Sequence, residues 1–346
     1  MKKVAIIGHF GGKESFYDGQ TVKTRIFAQE LEKALGADQV IRVDTYGWRK
    51  RPFRLLLSCV KALCRGKNVL FLTDEGGIKV FPWLLRYWNF LFRRSLHYVV
   101  VGGWLVHFPQ KHRFLSSCLR KLDCIWVETT GMKTALEALG FTNIYLLPNF
   151  KDLKPLSEEQ LIYARGEPYP FCTFSRVMKE KGIEDAVNAI RSINAENGRV
   201  VCTLDIYGAI DINQTAWFEQ LSSGFPEEIR YCSVVPHDRS VEVIKHYYAL
   251  LFPTCYTTEG IPGTIIDAYA AGVPVIASRW NSFDDMIDEG HTGMGYPCLH
   301  NEYLKEMIVR AVKNPELMFG MKRQCLEKSA QYLPSQVIGT ILDQLQ

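Results

Sequence analysis

Two carboxylates flank a turn rich in glycine and proline in the second half of the chain. Residues 259–267 read EGIPGTIID, so Glu259 precedes the turn and Asp267 follows it at a spacing of eight residues. A turn that opens a helix directs backbone N–H groups outward, where they can bind a phosphate. Asp267 lies about two helical turns beyond Glu259, which lets both acids approach one ligand. The segment predicts a site for a sugar attached to a diphosphate.

A basic pair follows the strand predicted at residues 171–175. The point charge of Lys181 and the planar guanidinium of Arg176 can converge on a diphosphate. Gly182, the next residue, permits a tight turn into the helix that follows. A solvated, charged turn explains the same residues. The choice between this turn and a diphosphate site depends on the other motifs of the chain.

A glycine-rich loop separates the first predicted strand from the first predicted helix. Gly11 and Gly12 lie in this loop, and Asp18 and Gly19 precede the helix. Glycine lets backbone approach a phosphate closely. The spacing does not match GxGxxG, so a dinucleotide site is not supported. A flexible strand–helix connection explains these glycines equally well.

Short apolar strands alternate with helical patterns in both halves of the chain, which predicts α/β architecture with parallel sheets covered on both faces. The strands predicted in the first half are 4–8, 40–46, 69–73, 98–101, 124–127 and 144–147, and the helices are 21–35, 52–64 and 82–94. Those of the second half are strands 171–175, 200–207, 229–234, 249–253 and 273–278, and helices 183–194, 215–221 and 241–248. Residues 151–170 lack a strong apolar face and are predicted to form a linker. Two domains with a cleft between them are the inference.

Length and composition support this division. A chain of 346 residues with 47% hydrophobic residues can form two α/β domains with apolar cores. Its ten cysteines include no close CxxC pair, which argues against a zinc ribbon or a redox pair and favours reduced thiols in a cytoplasmic protein. The first apolar run is too short for a secretory signal, and no apolar stretch approaches transmembrane length.

The net charge of +4 conceals an asymmetry. Residues 1–150 contain 23 Lys and Arg against 11 Asp and Glu, whereas the rest contains 18 against 26. A basic half predicts an anionic partner, and nucleic acid, a membrane surface and a phosphorylated acceptor all remain candidates. Segments 52–65 and 82–94 combine basic and aromatic residues and are predicted to lie on an anionic bilayer. Ordinary helices packed on the sheet are the alternative for each segment.

Taken in order, these motifs resemble the large family 4 of retaining glycosyltransferases. The resemblance implies the GT-B fold, with two Rossmann-like domains facing across a cleft. The segment 258–267 is most similar to enzymes that build bacterial surface polysaccharides. Segments 127–140 and 147–149 resemble the family less specifically. The pieces that carry the resemblance are Ser175-Arg176, Lys181-Gly182, Tyr207-Gly208, strand 250–253 and residues 259–278.

The resemblance also implies roles for individual residues. Arg176 and Lys181 hold the donor diphosphate, and Glu259 contacts the hydroxyls of the donor sugar. Asp267 stands where the family normally has a glutamate that binds ribose, and its side chain is shorter by one methylene. His107 follows the fourth strand of the first domain as a candidate catalytic residue, although a packed or surface histidine explains it too. The expected donor-binding set is completed by Gly11, Gly12, Gly19, Gly208, Ile261, Pro262, Gly263 and Thr264.

The function predicted from the residues and the resemblance is a retaining, metal-independent glycosyltransferase that needs no cofactor. It moves a sugar from a nucleotide diphosphate, expected to be UDP, to a lipid-linked or saccharide acceptor in bacterial surface polysaccharide biosynthesis. Residues 1–165 are predicted to bind the acceptor and 166–333 the donor, with helix 334–346 packing back on the first domain. The predicted location is the cytoplasm, peripheral to the inner face of the cell membrane.

Two alternatives remain at this point. A nucleotide-sugar epimerase of the same architecture uses the same kind of donor site. A nucleic-acid-binding protein accounts for the basic half, although the sequence contains no recognised binding motif.

Overall fold

Two six-stranded parallel sheets organise the chain, which confirms the α/β prediction. The fold is described from a computed structural model that covers residues 1–12, 19–298 and 301–345. The strands of this part are β1 Lys2–Gly8, β2 Val40–Asp44, β3 Gly66–Leu72, β4 Ser95–Val99, β5 Cys124–Val127, β6 Ile144–Leu146, β7 Tyr169–Phe174, β8 Cys202–Tyr207, β9 Ile229–Tyr231, β10 Ala249–Phe252, β11 Val275–Ser278 and β12 Gly293–Tyr296.

Helices connect these strands throughout the described part of the chain. They are α1 Gly19–Leu35, α2 Pro52–Arg65, α3 Glu75–Ile78, α4 Phe81–Phe92, α5 Phe108–Lys111, α6 Arg113–Leu119, α7 Thr130–Ala138, α8 Ile183–Asn197, α9 Thr215–Ser222, α10 Ser240–Ile244, α11 Gly263–Ala270, α12 Phe283–Met286, α13 Asn301–Lys313, α14 Pro315–Ser329 and α15 Pro334–Leu342. Within residues 1–12, 19–298 and 301–345, no helix combines the length and apolar character that a bilayer crossing requires.

Unit 1 comprises Met1–Asp152, Thr258–Ile261 and Tyr332–Gln346. Its sheet has the order β2-β1-β3-β4-β5-β6, with every pair parallel. Successive side chains of a strand point to opposite faces, and the buried residues of β1 follow this rule. Ala5 and Ile7 belong to the core beneath α2, α4 and α7, whereas Val4 and Ile6 belong to the core shared with α1 and α15.

Unit 2 comprises Leu153–Thr257 and Pro262–Gln331. Its sheet has the order β12-β11-β10-β7-β8-β9 and is also parallel throughout. One core cluster joins β7, β8 and β10 to α8, α13 and α14. Because β10, β7 and β8 are neighbours, the loops at their carboxyl ends lie along one edge of the sheet.

The unit boundary differs from the sequence-based division at residue 165. Unit 2 begins at Leu153, because the connecting segment runs along that unit. The N–H of Leu156 donates to Ala270 O at 2.9 Å. Leu161 packs so closely on Gly272 that a Cβ there would lie 2.1 Å from the leucine methyl. The backbone contacts of this polar segment, rather than its composition, decide which unit it joins.

The chain returns to unit 1 near its C-terminus. Tyr332 O accepts a hydrogen bond from the N–H of Lys151 at 3.2 Å. Val337, Ile338 and Ile341 of α15 are buried in the core that contains Phe27 of α1. The apolar spacing of the terminal helix therefore produces a face that completes this core.

Candidate functional site

The β7–α8 loop, residues 175–182, contains both predicted diphosphate ligands. Arg176 is largely exposed, and its guanidinium lies 3.7 Å from the carboxylate of Asp211. The Nζ of Lys181 lies 5.6 Å from the ring centroid of Phe252 and 5.1 Å from that of Tyr256. Aromatic faces attract an ammonium group, so these two rings hold the lysine beside the end of β10.

Gly182 brings this loop into direct contact with the end of β10. Its φ is +69°, and a Cβ at this position would lie only 2.0 Å from Pro253 O. The N–H of Cys255 donates to Glu180 O at 2.8 Å, which ties the two loops together on the other side of the lysine. Glycine is required here for both conformation and space. The close approach of these loops fixes the backbone position of Lys181.

The first turn of α8 contains a titratable group that sequence reasoning missed. Asp185 is half-buried, and this burial raises the pKa of its carboxyl to about 6, with a smaller contribution from Glu184. Loss of hydration disfavours the ionised form. The periodicity of α8 predicts the helix but not how deeply this acid is buried. The first turn of α8 thus contains a carboxyl with a raised pKa, three residues after Gly182.

Gly208 follows β8 and has a similar steric role. Its φ is +131°, and a Cβ would lie 1.8 Å from Ser175 O. The N–H of Gly208 donates to Ser233 O at 3.0 Å, and the hydroxyl of Tyr231 donates to Gly208 O at 2.9 Å. The glycine therefore permits the β7–α8 loop to lie against the end of β8. Its own N–H already has a backbone partner.

The predicted phosphate turn forms the start of α11. Pro262 occupies the N-cap position, and no side chain caps this helix within the described residues. Gly263 is the first helical residue. The side-chain oxygen of Thr264 is shielded from solvent and has no hydrogen-bond partner in the described part of the chain. A buried unpaired hydroxyl is costly, and a bound anion at the helix start would satisfy it.

Asp267 occupies the second turn of α11 and is buried. The hydroxyl of Ser240, the first residue of α10, lies 3.0 Å from Asp267 Oδ1 and is in position to donate to it. A buried carboxylate needs such partners. The sequence predicted this acid at the ligand, and the structure places it against α10.

The predicted sugar-binding acid belongs to a segment that packs within unit 1. Thr258–Ile261, which includes Glu259, lies against the loop that follows β4. The N–H of Gly103 donates to Thr258 O at 3.0 Å, and a Cβ on Gly103 would lie 2.8 Å from Glu259 O. The space beside Gly102 and Gly103 therefore holds the backbone of residues 258–260.

A buried ion pair anchors this segment, and the sequence did not reveal it. Lys23 Nζ lies 2.6 Å from Glu128 Oε1, and both side chains are almost completely buried. Glu128 Oε2 accepts the N–H of Ile261 at 3.1 Å, and Oε1 accepts the N–H of Gly102 at 3.2 Å. Gly260 is packed so closely that a Cβ would lie 2.3 Å from Glu128 Oε2. One carboxylate thus holds the β4 loop and the Glu259 segment together.

A side chain already accepts two backbone N–H groups of the first loop, including that of Gly12. The carboxylate of Asp44, at the end of β2, accepts the N–H groups of Phe10 and Gly12 at 2.9 and 2.8 Å. Gly11 and Gly12 both have positive φ, which this arrangement requires. Gly19 is exposed at the start of α1, and Asp18 lies outside the described residues. The N–H that was predicted to approach a phosphate therefore has Asp44 as its acceptor.

His107 is exposed at the end of a 3-10 helix that spans Trp104–His107. This turn follows β4 and the glycine pair that contacts residues 258–260. The structure therefore places the histidine on the surface of unit 1, on the loop that also supports the Glu259 segment. Across residues 1–12, 19–298 and 301–345, no cluster of three or more His, Cys, Asp or Glu side chains has the arrangement of a metal site.

Comparison with known proteins identifies the family of this fold and site. Residues 170–314, which include the loops after β7, β8 and β10, match the family model described as "Glycosyl transferases group 1". Residues 170–314 therefore resemble group 1 glycosyltransferases, and the chain as a whole has the GT-B fold. The prediction of a glycosyltransferase with this two-domain α/β fold is confirmed. The curated proteins provide no match to the chain by sequence.

Solved GT-B structures match between 84% and 99% of this chain. Sucrose-phosphate synthase from Thermosynechococcus elongatus is 16% identical with a TM-score of 0.75, and the alignment covers 99% of both chains. Anabaena HepE in complex with UDP is 13% identical with a TM-score of 0.77 and the same coverage. The pneumococcal O-GlcNAc transferase GtfA in complex with UDP and GlcNAc is 18% identical with a TM-score of 0.67, covering 84% of this chain and 59% of GtfA.

Proposed function

We propose that this group 1 glycosyltransferase is a retaining, metal-independent enzyme that transfers a sugar from a UDP-sugar to a lipid-linked or saccharide acceptor. The observation that carries the proposal is the junction of two loops at the carboxyl edge of the unit 2 sheet. There Gly182 contacts Pro253 O, Cys255 bonds to Glu180, and Lys181 is held over Tyr256. This junction supports a fixed cation for a leaving diphosphate.

UDP is the proposed donor nucleotide because of what similar folds bind. HepE has been solved with UDP and with UDP-glucose, and GtfA with UDP and GlcNAc. In unit 2, the amino end of α11 and the unpartnered hydroxyl of Thr264 support a phosphate position in this chain. Arg176, which is largely exposed, supplies a second cation from the β7–α8 loop.

Catalysis in this proposal is mainly electrostatic. Arg176, Lys181 and the first amides of α11 stabilise the diphosphate as its bond to the sugar breaks. Glu259 orients the sugar hydroxyls, and Asp267 takes the ribose contact, directly or through water. The leaving phosphate accepts the proton of the attacking hydroxyl, so no separate general base is needed. Loss of one stabilising donor typically costs on the order of 100- to 1,000-fold in turnover.

A basic pocket in unit 1 supports an anionic acceptor. The pocket has a volume of about 420 Å³ and lies beside Gly12 and Asp44. Arg51, Arg54 and Lys61 border it, so a phosphate or pyrophosphate group fits its charge. A lipid-linked saccharide carries such a group. With the similarity of residues 258–267 to polysaccharide-building enzymes, this pocket favours a role in bacterial surface polysaccharide biosynthesis at the cytoplasmic side of the membrane.

Donor turnover in point variants tests the proposal. Arg176→Ala and Lys181→Ala are each expected to lower the release of UDP from a UDP-sugar by on the order of 100-fold or more. Lys179→Ala is the matched control, since Lys179 lies in the same 3-10 helix but packs over Trp217, 5.8 Å from its ring centroid. Near-normal turnover in both the Arg176 and Lys181 variants would show that the diphosphate site is elsewhere.

Ligand and product measurements test the finer claims. A nucleotide sugar that binds the folded chain raises its melting temperature, so a thermal-shift screen identifies the base and sugar. Loss of turnover in EDTA, restored by a divalent cation, would contradict metal independence. Conversion of the donor to an isomeric nucleotide sugar without an acceptor would indicate an epimerase. The anomeric configuration of the product, determined by NMR, decides whether the reaction retains configuration.

A further inference from the structure

One side of α4 exposes an apolar stripe. Trp83, Tyr87, Phe90 and Leu91 occupy positions i, i+4, i+7 and i+8, so they share one face of the helix. All four are exposed, Phe90 by 82% and Tyr87 by 73%. The opposite side, which includes Leu85, is buried in the unit 1 core. A surface helix ordinarily presents polar residues to water, so this stripe points to an apolar partner.

The stripe borders a groove between α4 and α6. The groove has a volume of about 630 Å³, and the residues that line it include Phe90 and Leu91 of α4 and Phe114 of α6. Phe114 is itself 72% exposed. None of the described residues that line the groove is acidic. A cavity of this size with apolar walls is large enough to hold a hydrocarbon chain.

Cations surround the same groove. Arg86 and Lys121 line it, and the guanidinium of Arg86 donates at 3.4 Å to the backbone O of Lys121, two residues after the end of α6. Residues 49–121 contain fifteen Lys and Arg but only Asp74 and Glu75 as acids. Asp74 accepts the N–H of Gly77 to cap α3, and Glu75 pairs with a lysine one turn away. Cations therefore greatly outnumber acids within residues 49–121.

The neighbouring helix α2 extends the same character. It packs beside α4 and exposes Phe53 and Leu57 at positions i and i+4. Arg54 and Lys61 are exposed on the same helix. We call the exposed surfaces of α2, α4 and α6 the docking face. It combines large apolar side chains with cations.

We propose that the docking face binds an anionic phospholipid bilayer, with the α4 stripe among the acyl chains and one chain in the α4–α6 groove. The cations then lie at the level of the phosphate groups. Charge favours this occupant over a second copy of the chain, because self-association would bring the same cations together. The purpose of docking, which is access to a lipid-linked acceptor, rests on the proposed function. The binding of the docking face to a bilayer does not.

Vesicle co-sedimentation of the full chain, without donor or acceptor, tests the docking face. We expect binding to vesicles of phosphatidylcholine with phosphatidylglycerol, weak binding to phosphatidylcholine alone, and weaker binding at high salt. The double variant Phe90→Ser, Leu91→Ser should reduce the partition coefficient at least about tenfold, since both side chains enter the bilayer. Lys121→Gln should reduce it roughly fivefold, the effect of about one interfacial charge.

Matched controls lie in unit 2. Ile212 is 88% exposed, so Ile212→Ser removes a comparably exposed apolar side chain. Lys313, which ends α13 and is exposed, supplies the charge control as Lys313→Gln. Both controls should bind vesicles like the wild type. Because the controls and Phe90 are surface residues, circular dichroism should show equal folding in every variant.

Fluorescence quenching locates the stripe in the bilayer. Phospholipids brominated on the acyl chain should quench tryptophan emission in the wild type and quench it less in Trp83→Phe. Wild type that does not bind anionic vesicles, or α4 variants that bind normally, would overturn the proposal. So would a concentration-dependent dimer that the same α4 variants abolish, since the occupant would then be a second copy. Donor turnover is measured separately, so failure of docking is distinguishable from failure of the proposed reaction.

Discussion

The buried pair of Lys23 and Glu128 should dominate the stability of unit 1. Glu128→Gln preserves the size of the side chain but leaves the ammonium of Lys23 without its carboxylate, 2.6 Å away. Removing one partner of a buried ion pair typically costs about 3–5 kcal/mol, because the remaining charge is left uncompensated. Lys23 keeps the carbonyl of Val100 at 3.2 Å, so we expect the lower end, about 3 kcal/mol.

Thermal and urea unfolding measure this loss. For a unit of this size, about 3 kcal/mol corresponds to a fall in melting temperature of about 6–12 °C. Lys23→Met alone should also destabilise unit 1, since Glu128 then lacks its cation. The double variant Lys23→Met, Glu128→Gln contains no buried charge at this place and should recover at least about 2 kcal/mol relative to the sum of the single changes. Additive single effects would refute the assigned coupling.

The same variants report on the segment that contains Glu259. The Glu128 carboxylate accepts the N–H of Ile261 at 3.1 Å, so weakening this bond should speed amide hydrogen exchange in residues 258–261. Donor turnover should fall in parallel, because Glu259 loses its fixed backbone. Unchanged exchange in Glu128→Gln would show that other contacts hold the segment.

Three further predictions concern single residues. Burial lowers the pKa of His97 to about 4 from 6.5. On acidification, the unfolded state therefore binds a proton at a higher pH than the folded state. The free energy of unfolding should fall by up to about 3 kcal/mol as the pH drops from 6.5 to about 4. His97→Gln should flatten that part of a urea-unfolding pH profile. The pH dependence of stability at Asp185 has the opposite sign, because the pKa of this carboxyl is raised to about 6 from 3.8. Its contribution to stability is therefore lost as the pH rises from about 3.8 to about 6. Asp185→Asn should therefore gain melting temperature relative to wild type above about pH 6 and lose this advantage below about pH 4. Gly182→Ala would place a Cβ 2.0 Å from Pro253 O and should abolish most donor turnover, whereas Gly198→Ala, with similar positive φ and open space, should cost only about 1 kcal/mol and leave turnover intact.

Local patterns were sufficient to predict most elements of both sheets. Residues 4–8, 124–127 and 249–253 are short apolar runs that become buried central strands, and their burial on both faces explains why they lack alternation. Helix 82–94 was predicted from apolar spacing and is α4 in the structure. Helix bounds differ by up to four residues, as where predicted helix 241–248 ends at Ile244, because capping geometry rather than periodicity sets the ends.

Long-range contacts account for what the sequence did not reveal at the site. Lys23, Asp44 and Glu128 are ordinary charged residues in the sequence, and each acquires its role from a partner distant along the chain. The one available signal was that Glu128 directly follows a buried strand, where a carboxylate meets the loops of neighbouring strands. Asp267 shows the reverse case, since its motif predicted a ligand contact and its burial against Ser240 emerges only in three dimensions.

The sequence by itself determined the fold class, the order of the elements and the glycosyltransferase motifs, because each depends on residue types at short spacing. Tertiary structure alone decided that residues 153–165 join unit 2 and that Thr258–Ile261 joins unit 1. It also decided that the aromatic side of α4 faces solvent. The sequence of a helix shows which of its sides are apolar. Which of those sides become buried depends on the neighbouring helices. The same packing limit leaves Trp83, Tyr87, Phe90 and Leu91 of α4 exposed.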